Sequence, residues 1–365
     1  METRACQTPE RRDSPMDRTF PTVPTDDHSP DAMMTAPAGQ ALLALIDGLG
    51  LTSTDLAEPL TAFHVATDAM NMISRWDPTT PARLERLAID TPARRPIAEE
   101  IMGAAELAWW WAPLDRGSQL WSSHAGSDSL EPGLDRAGAG PMSHFERYAH
   151  KPHPTILTST AKATDISSLI IASAFGNGDL QPHPYDAIRR CRFAVHPAAR
   201  VYEIGSPGDW AALARRYPAI DPGGHHRPVA PDGSLGPGEP PEIVPDWLAV
   251  ARDWDGVHVS LGGMLLATDV WVADAAGSSR FWGWDCEGTY WLRWSFNRFE
   301  PLPDLAFDAV LKSASVLDDG DRYRNPVLAP LLRADLLMAG DGPEAVKLRS
   351  SSAVGMVWPS NDGSD

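Results

Sequence analysis

Apolar positions between residues 41 and 49 recur at helical spacing. Ala41, Leu42, Leu43, Leu45, Ile46 and Leu49 form one face, and Gly50 follows where a helix C-cap favours left-handed backbone. A second stripe, Leu56, Leu60, Phe63, Val65, Ala66, Ala69, Met70 and Ile73, predicts a helix over 54–75, with Asp55 in its first turn at the positive end of the dipole. A short helix over 82–89 follows the Pro81 turn. Pro96 opens another that runs to about Trp111, with Glu99 and Glu100 near its start. Pro113 stops it, and the run Trp109, Trp110, Trp111 reads as core filling between layers.

Beyond residue 113 the apolar spacing changes. PTILTST (154–160), the run 192–196 and RVYEI (200–204) read as strands, and SSLIIASAFG (167–176) as a buried helix turn or strand. Ser206 is a good N-cap for a helix carrying Trp210, Leu213 and Tyr217, closed by Pro218. A short helix over 246–253 turns through DWDG into a strand over 257–264. Residues 280–296 alternate as a strand pair around the turn WDCEGT, and helices are predicted over 303–317 and 327–338. The Gly, Pro and Ser-rich stretches 122–143, 176–184 and 219–241 read as loops. Helices first and mixed strands later predict an α+β fold. Its expected parts are a disordered tail (1–37), a helical module (38–112), a mixed, largely antiparallel core domain (113–300), C-terminal helices (301–340) and a mostly flexible end (341–365).

Composition sharpens this picture in three respects. The 365 residues are 43% hydrophobic, enough to bury a sizeable core, whereas residues 1 to about 36 lack apolar periodicity and cannot offset their ordering entropy. With 49 acidic and 31 basic residues the formal net charge is -18, which disfavours nucleic acid and anionic membrane surfaces as partners. Cys6, Cys191 and Cys286 make no disulfide framework and no metal spacing, and no apolar run has the length of a secretory core or a membrane span. A cytoplasmic protein is therefore expected. The 34 prolines and 29 glycines, with abundant Ala, Arg and Asp, resemble the usage of a high-GC bacterium.

The chain has no GxSxG elbow, P-loop, HExxH or kinase set, and no GxGxxG between a strand and a helix. Its histidines, including His150, His153, His225 and His226, lack the i, i+4 spacing that pre-orients two metal ligands, so no metal site is predicted. Strand alternation sets His258 opposite Val257 and Val259, toward a cleft, toward solvent or into a hydrogen bond. Asp246 and Asp255 read as cap and turn residues. Asp285 and Glu287 form a second acidic pair in the WDCEGT turn.

A looser constellation carries chemistry. Arg116 follows the helical module, Thr158, Ser159 and Thr160 close the strand TILTST, and Glu203 lies in RVYEI. An arginine, a Ser/Thr-rich strand end and a strand glutamate, in that order, resemble the mono-ADP-ribosyltransferase superfamily over about residues 113–300. The resemblance implies a split-sheet domain that uses NAD as substrate. Arg116 would grip the dinucleotide, Thr158, Ser159 and Thr160 would brace the pocket with His258 at its border, and Glu203 would act at the nicotinamide-side ribose. A guanidinium fork suits pyrophosphate oxygens, and a carboxylate beside an anomeric carbon favours an oxocarbenium-like state. Val201 stands two before Glu203, where many members carry Glu or Gln, which points away from a protein-arginine acceptor. The expected partner is thus an unknown target protein or small molecule. VYEIGSPGDW and PDWLAVARDWDGVHVS also resemble a pattern of actinobacterial proteins without an assigned activity. The alternative is a non-catalytic binding or interaction module built on a tryptophan-rich core.

Overall fold

The computed structural model describes residues 28–73, 80–124, 151–152, 156–160, 187–220, 242–274, 277–284 and 287–306. The segment 167–176, most of the three predicted loops and the predicted helices beyond residue 306 lie outside the described residues.

Helical structure begins earlier than the pattern predicts. The helix α1 (Pro30–Thr35) is capped by Ser29, whose hydroxyl accepts the Ala32 N–H, and it buries Met33 completely. The helix α2 (Pro37–Leu49) ends at Gly50, whose φ of 64° is the left-handed cap its position predicts. The single helix predicted over 54–75 is two. Thr52 and Asp55 form a capping box that opens α3 (Ser53–Ala57), and Pro59, which cannot donate to a preceding turn, restarts the chain as α4 (Pro59–Met72). After α5 (Thr80–Asp90) and α6 (Arg95–Gly103), the helix predicted to reach Trp111 stops at Gly103, a poor helix former. Ala104 is extended, and a 3₁₀ turn over Ala105–Trp111 then buries Trp110.

The strands are β1 (Gln119–His124), β2 (Ile156–Thr160), β3 (Ala187–Val195), β4 (Val201–Ile204), β5 (Pro218–Ile220), β6 (Ile243–Pro245), β7 (Gly256–Val259), β8 (Trp271–Asp274), β9 (Gly277–Arg280), β10 (Gly288–Trp291) and β11 (Phe296–Ala306). Seven of them form one sheet in the order β11-β3-β1-β2-β10-β7-β4. Every pairing in it is antiparallel except β4 with β7, which is parallel. β5 with β6 and β8 with β9 make two small antiparallel pairs. The fold is therefore α+β, with a mixed, largely antiparallel sheet following the helical module. No helix among the described residues is long and apolar enough to cross a membrane.

Three further boundaries differ from the sequence pattern. The strand predicted over 257–264 ends at Val259, because the Ser260 hydroxyl accepts the Gly263 N–H at 3.0 Å and caps the helix α9 (Leu261–Ala267). Residues 280–296 are not a hairpin: β9 turns back on β8, and β10 inserts between β2 and β7, while Phe281 and Trp284 are drawn into the core between them. Residues 303–306, predicted as the start of a helix, continue β11 at the sheet edge. Pro301 and Pro303 are tolerated there because an edge strand leaves half its N–H groups without ladder partners.

Alternation along the strands divides the sheet into two faces. Leu157, Ile204, Val257, Val259, Tyr290 and Leu292 join one core with the helical module, α7 (Pro207–Arg216), α8 (Trp247–Asp253) and α9. Trp121, Phe193, Val195, Val201, Trp291 and Phe296 form a second, smaller core on the other side, with Phe193 stacked on Phe296 at 4.4 Å. The polar row described next shares that second face.

Candidate functional site

Register brings the chemistry-bearing side chains together. Glu203 on β4 is opposite His258 on β7, His258 is opposite Thr289 on β10, and Thr289 is opposite Thr158 on β2. Directly paired residues share a face, so these four stand in one row across four strands.

At one end of the row a hydrogen-bonded chain runs through His258. Its Nδ1 is 2.5 Å from Glu203 Oε2 and its Nε2 is 3.3 Å from Glu287 Oε1. Glu287, just before β10, also accepts the Ser159 hydroxyl, and the Thr160 N–H lies 3.3 Å from both of its oxygens. The other oxygen of Glu203 accepts the Leu114 N–H at 3.2 Å. Burial is strongly graded along this chain: the side chains of His258 and Glu287 are 1% and 3% exposed, that of Glu203 is 41% exposed. Burial works against the charged imidazole, but the hydrogen bonds and charges of Glu203 and Glu287 outweigh it and push His258 up to about 9. At neutral pH both ring nitrogens therefore carry protons and donate, one to each carboxylate.

A second network occupies the rest of the row. Thr158 donates to Gln119 Oε1 at 2.7 Å, Thr289 reaches the same oxygen at 3.5 Å, and the Trp291 indole donates to Thr158 at 2.8 Å. Gln119 in turn donates to the Asp115 carbonyl. All four side chains are buried, so this network satisfies polar groups inside the smaller core.

Of the residues singled out from the sequence, Glu203, Ser159, Thr160 and His258 meet in the first network, and Thr158 lies in the second. Arg116 stands outside both. It is exposed, and its guanidinium donates to the Ala199 carbonyl at 2.9 Å, joining the start of β1 to the turn before β4. Asp246 caps α8, accepting the Leu248 and Ala249 N–H groups, and Asp255 accepts the Arg200 N–H at 2.7 Å and faces Arg293 at 3.2 Å. Both are structural, as their sequence positions imply. Glu287 was no more than half of an acidic pair in the sequence. What places it in the site is the antiparallel register of β10 with β7, which its own turn-like surroundings do not encode. Five tryptophans, Trp110, Trp210, Trp247, Trp284 and Trp291, are fully buried in the core, and Trp109 and Trp111 pack against it partly buried. Among the described residues no group of His, Cys, Asp and Glu side chains is arranged to hold a metal ion.

Chemically, the arrangement is a carboxylate that reaches solvent, fixed by one backbone donor and one imidazolium, with a second carboxylate locked behind it. Comparison with protein-family models, with curated proteins and with solved structures gives no match.

Proposed function

We propose that the chain cleaves the nicotinamide glycosidic bond of NAD, passing ADP-ribose to water or to an acceptor, with Glu203 as the catalytic carboxylate. The observation that carries this reading is the asymmetry of the two carboxylates: Glu203 is 41% exposed and Glu287 3%. Hydrolysis of an ordinary O-glycoside needs two carboxyl groups at the sugar, one of them to protonate the leaving oxygen. Nicotinamide bound to ribose is already cationic. When the carbon–nitrogen bond breaks, its electron pair neutralises the pyridinium, and no acid is required. A single accessible carboxylate then has two tasks. It stabilises the oxocarbenium-like ribose, and it takes the proton released as water or the acceptor adds to the same carbon. The order of Arg116, Ser159, Thr160 and Glu203 along the chain supports the same substrate. Arg116, exposed two residues after Leu114, whose N–H ties the segment before β1 to Glu203, keeps its remaining N–H donors for an anionic group such as the pyrophosphate.

Purified protein incubated with NAD, with and without a bacterial lysate as a source of acceptors, is expected to release nicotinamide. Glu203→Gln, which keeps the size and the polar contacts of the side chain, is expected to lower turnover by about 100-fold or more. Turnover unchanged in that variant, or no release by the wild type under either condition, overturns the reading.

A further inference from the structure

We infer that Glu287, acting through the buried His258, is a positioning group for Glu203, and that neither His258 nor Glu287 touches the substrate. The inference rests on Glu203 being the catalytic carboxylate. Its own evidence is the geometry and burial of the trio.

His258 is enclosed. Both ring nitrogens are engaged, Nδ1 with Glu203 and Nε2 with Glu287, and its side chain is 1% exposed. A ring in that state has no free atom to offer a ligand. Glu287 is held from the opposite side by the Ser159 hydroxyl and the Thr160 N–H, so it is the fixed end of the chain. Glu203 is the open end. A plain internal ion pair would bury both acids. Here only one is buried, and the imidazole orients the other, as a third group orients the base of an activated nucleophile.

The proton count gives the arrangement a direction. A neutral imidazole has one N–H and can donate to one carboxylate only. Serving both requires the imidazolium, and the trio then carries one negative charge in place of two. Glu203 from the parallel strand β4 and Glu287 from the bend just before β10 are the charged groups that act on the ring among the described residues. When the ring loses its proton, one of its two hydrogen bonds is lost. Whichever bond is lost, Glu203 is no longer tied through the ring to the anchored Glu287. The Ser/Thr-rich strand end thereby acquires a role distinct from bracing a pocket: Ser159 and Thr160 anchor the carboxylate that anchors the histidine.

The test uses the full chain labelled with nitrogen-15 histidine, with ring nitrogen shifts followed against pH in the wild type, Glu287→Gln and Ser159→Ala. The wild type is expected to show one imidazole with both nitrogens protonated at pH 7, losing its proton only in the alkaline range. Glu287→Gln is expected to move that titration to lower pH and to lower kcat for nicotinamide release about 10- to 100-fold, the range typical of lost outer hydrogen-bond partners. KM should change little, and the alkaline limb of the pH–rate profile should shift down with the ring. Ser159→Ala, which removes a single anchor and leaves both charges, should shift both readouts in the same direction by less. A ring already neutral at pH 7 in the wild type overturns the inference, as does a titration and kcat unmoved by both variants. An imidazolium that responds to Glu287→Gln in a protein releasing no nicotinamide upholds the positioning trio and overturns the NAD reading, so the two failures are distinguishable.

Discussion

His258 shows how one residue ties folding to protonation. In the unfolded chain its imidazole titrates near 6.5, and in the fold it is pushed up to about 9, burial being outweighed by the two carboxylates. A group whose folded value is raised contributes stability that is complete below the unfolded value and disappears as pH rises through the folded one. The contribution should therefore be intact at pH 6 and lost progressively between about 6.5 and 9, its size on the order of 3 kcal/mol. Denaturant midpoints measured across pH 6–10 should fall over that window in the wild type and flatten in His258→Asn; a wild-type midpoint level across the window would count against a charged ring. The strand pattern VHV was enough to set His258 apart from its valine neighbours, and the Ser/Thr-rich strand end and Glu203 were equally legible as polar interruptions of apolar runs. Glu287 was not. A carboxylate before Gly288 reads as turn chemistry until the partner strand is known, and partner strands are long-range facts.

At the scale of elements, the helix α9 controls where β4 lies. Its Gly263 packs so closely that a Cβ there would meet the Ile204 carbonyl oxygen and the Gly205 backbone well inside contact distance. Ile204 directly follows Glu203. Gly263→Ala gains about 1 kcal/mol of helix propensity but forces the backbone of β4 away, an overpacking cost of about 1–3 kcal/mol. We expect a lower denaturant midpoint in Gly263→Ala and, under the proposed reading, weaker nicotinamide release, because the displaced strand carries Glu203. An unchanged midpoint would show that the contact relaxes freely. The same packing explains why this helix was missed from sequence. VSLGGMLL has the unbroken apolar character of a buried strand, and only the Ser260 cap and the paired glycines distinguish it. Elsewhere local chemistry was readable where it was strong, as at the Gly50 cap and the Ser206 cap. Boundaries failed where a proline or glycine sat inside an otherwise periodic run, as at Pro59 and Gly103, because periodicity carries across the break while the backbone hydrogen bonds do not.

Across the whole molecule, one apolar core joins the helical module to the sheet. It runs from Ala32 and Met33 in α1, through Leu42, Leu43 and Ile46 in α2 and Trp110 in the 3₁₀ turn, to Val257, Val259 and Tyr290 on the strands and Leu292 just after β10. Helical spacing gives way to strand spacing at residue 112, and the apolar cluster runs across that point. The tryptophan run contributes to the interface: Trp111 lies against Gly262 of α9, and the His28 ring sits tilted against Trp111 at 5.4 Å while its Nε2 is 2.9 Å from the Gly205 carbonyl just after β4. A shared core of this kind should melt as one unit. Met33→Ala tests this far from the site, since Met33 is fully buried in a segment whose sequence reads as tail. Loss of its side chain should cost about 2–5 kcal/mol. If the module and the sheet are one cooperative body, the loss of helical circular dichroism and the change in tryptophan fluorescence shift together, by the same amount, in a single transition. Separate transitions, with the variant moving the helical signal alone, would establish two independently folding parts. The placement of Glu203 would then owe nothing to the helices, because α9 would hold β4 without the module behind it.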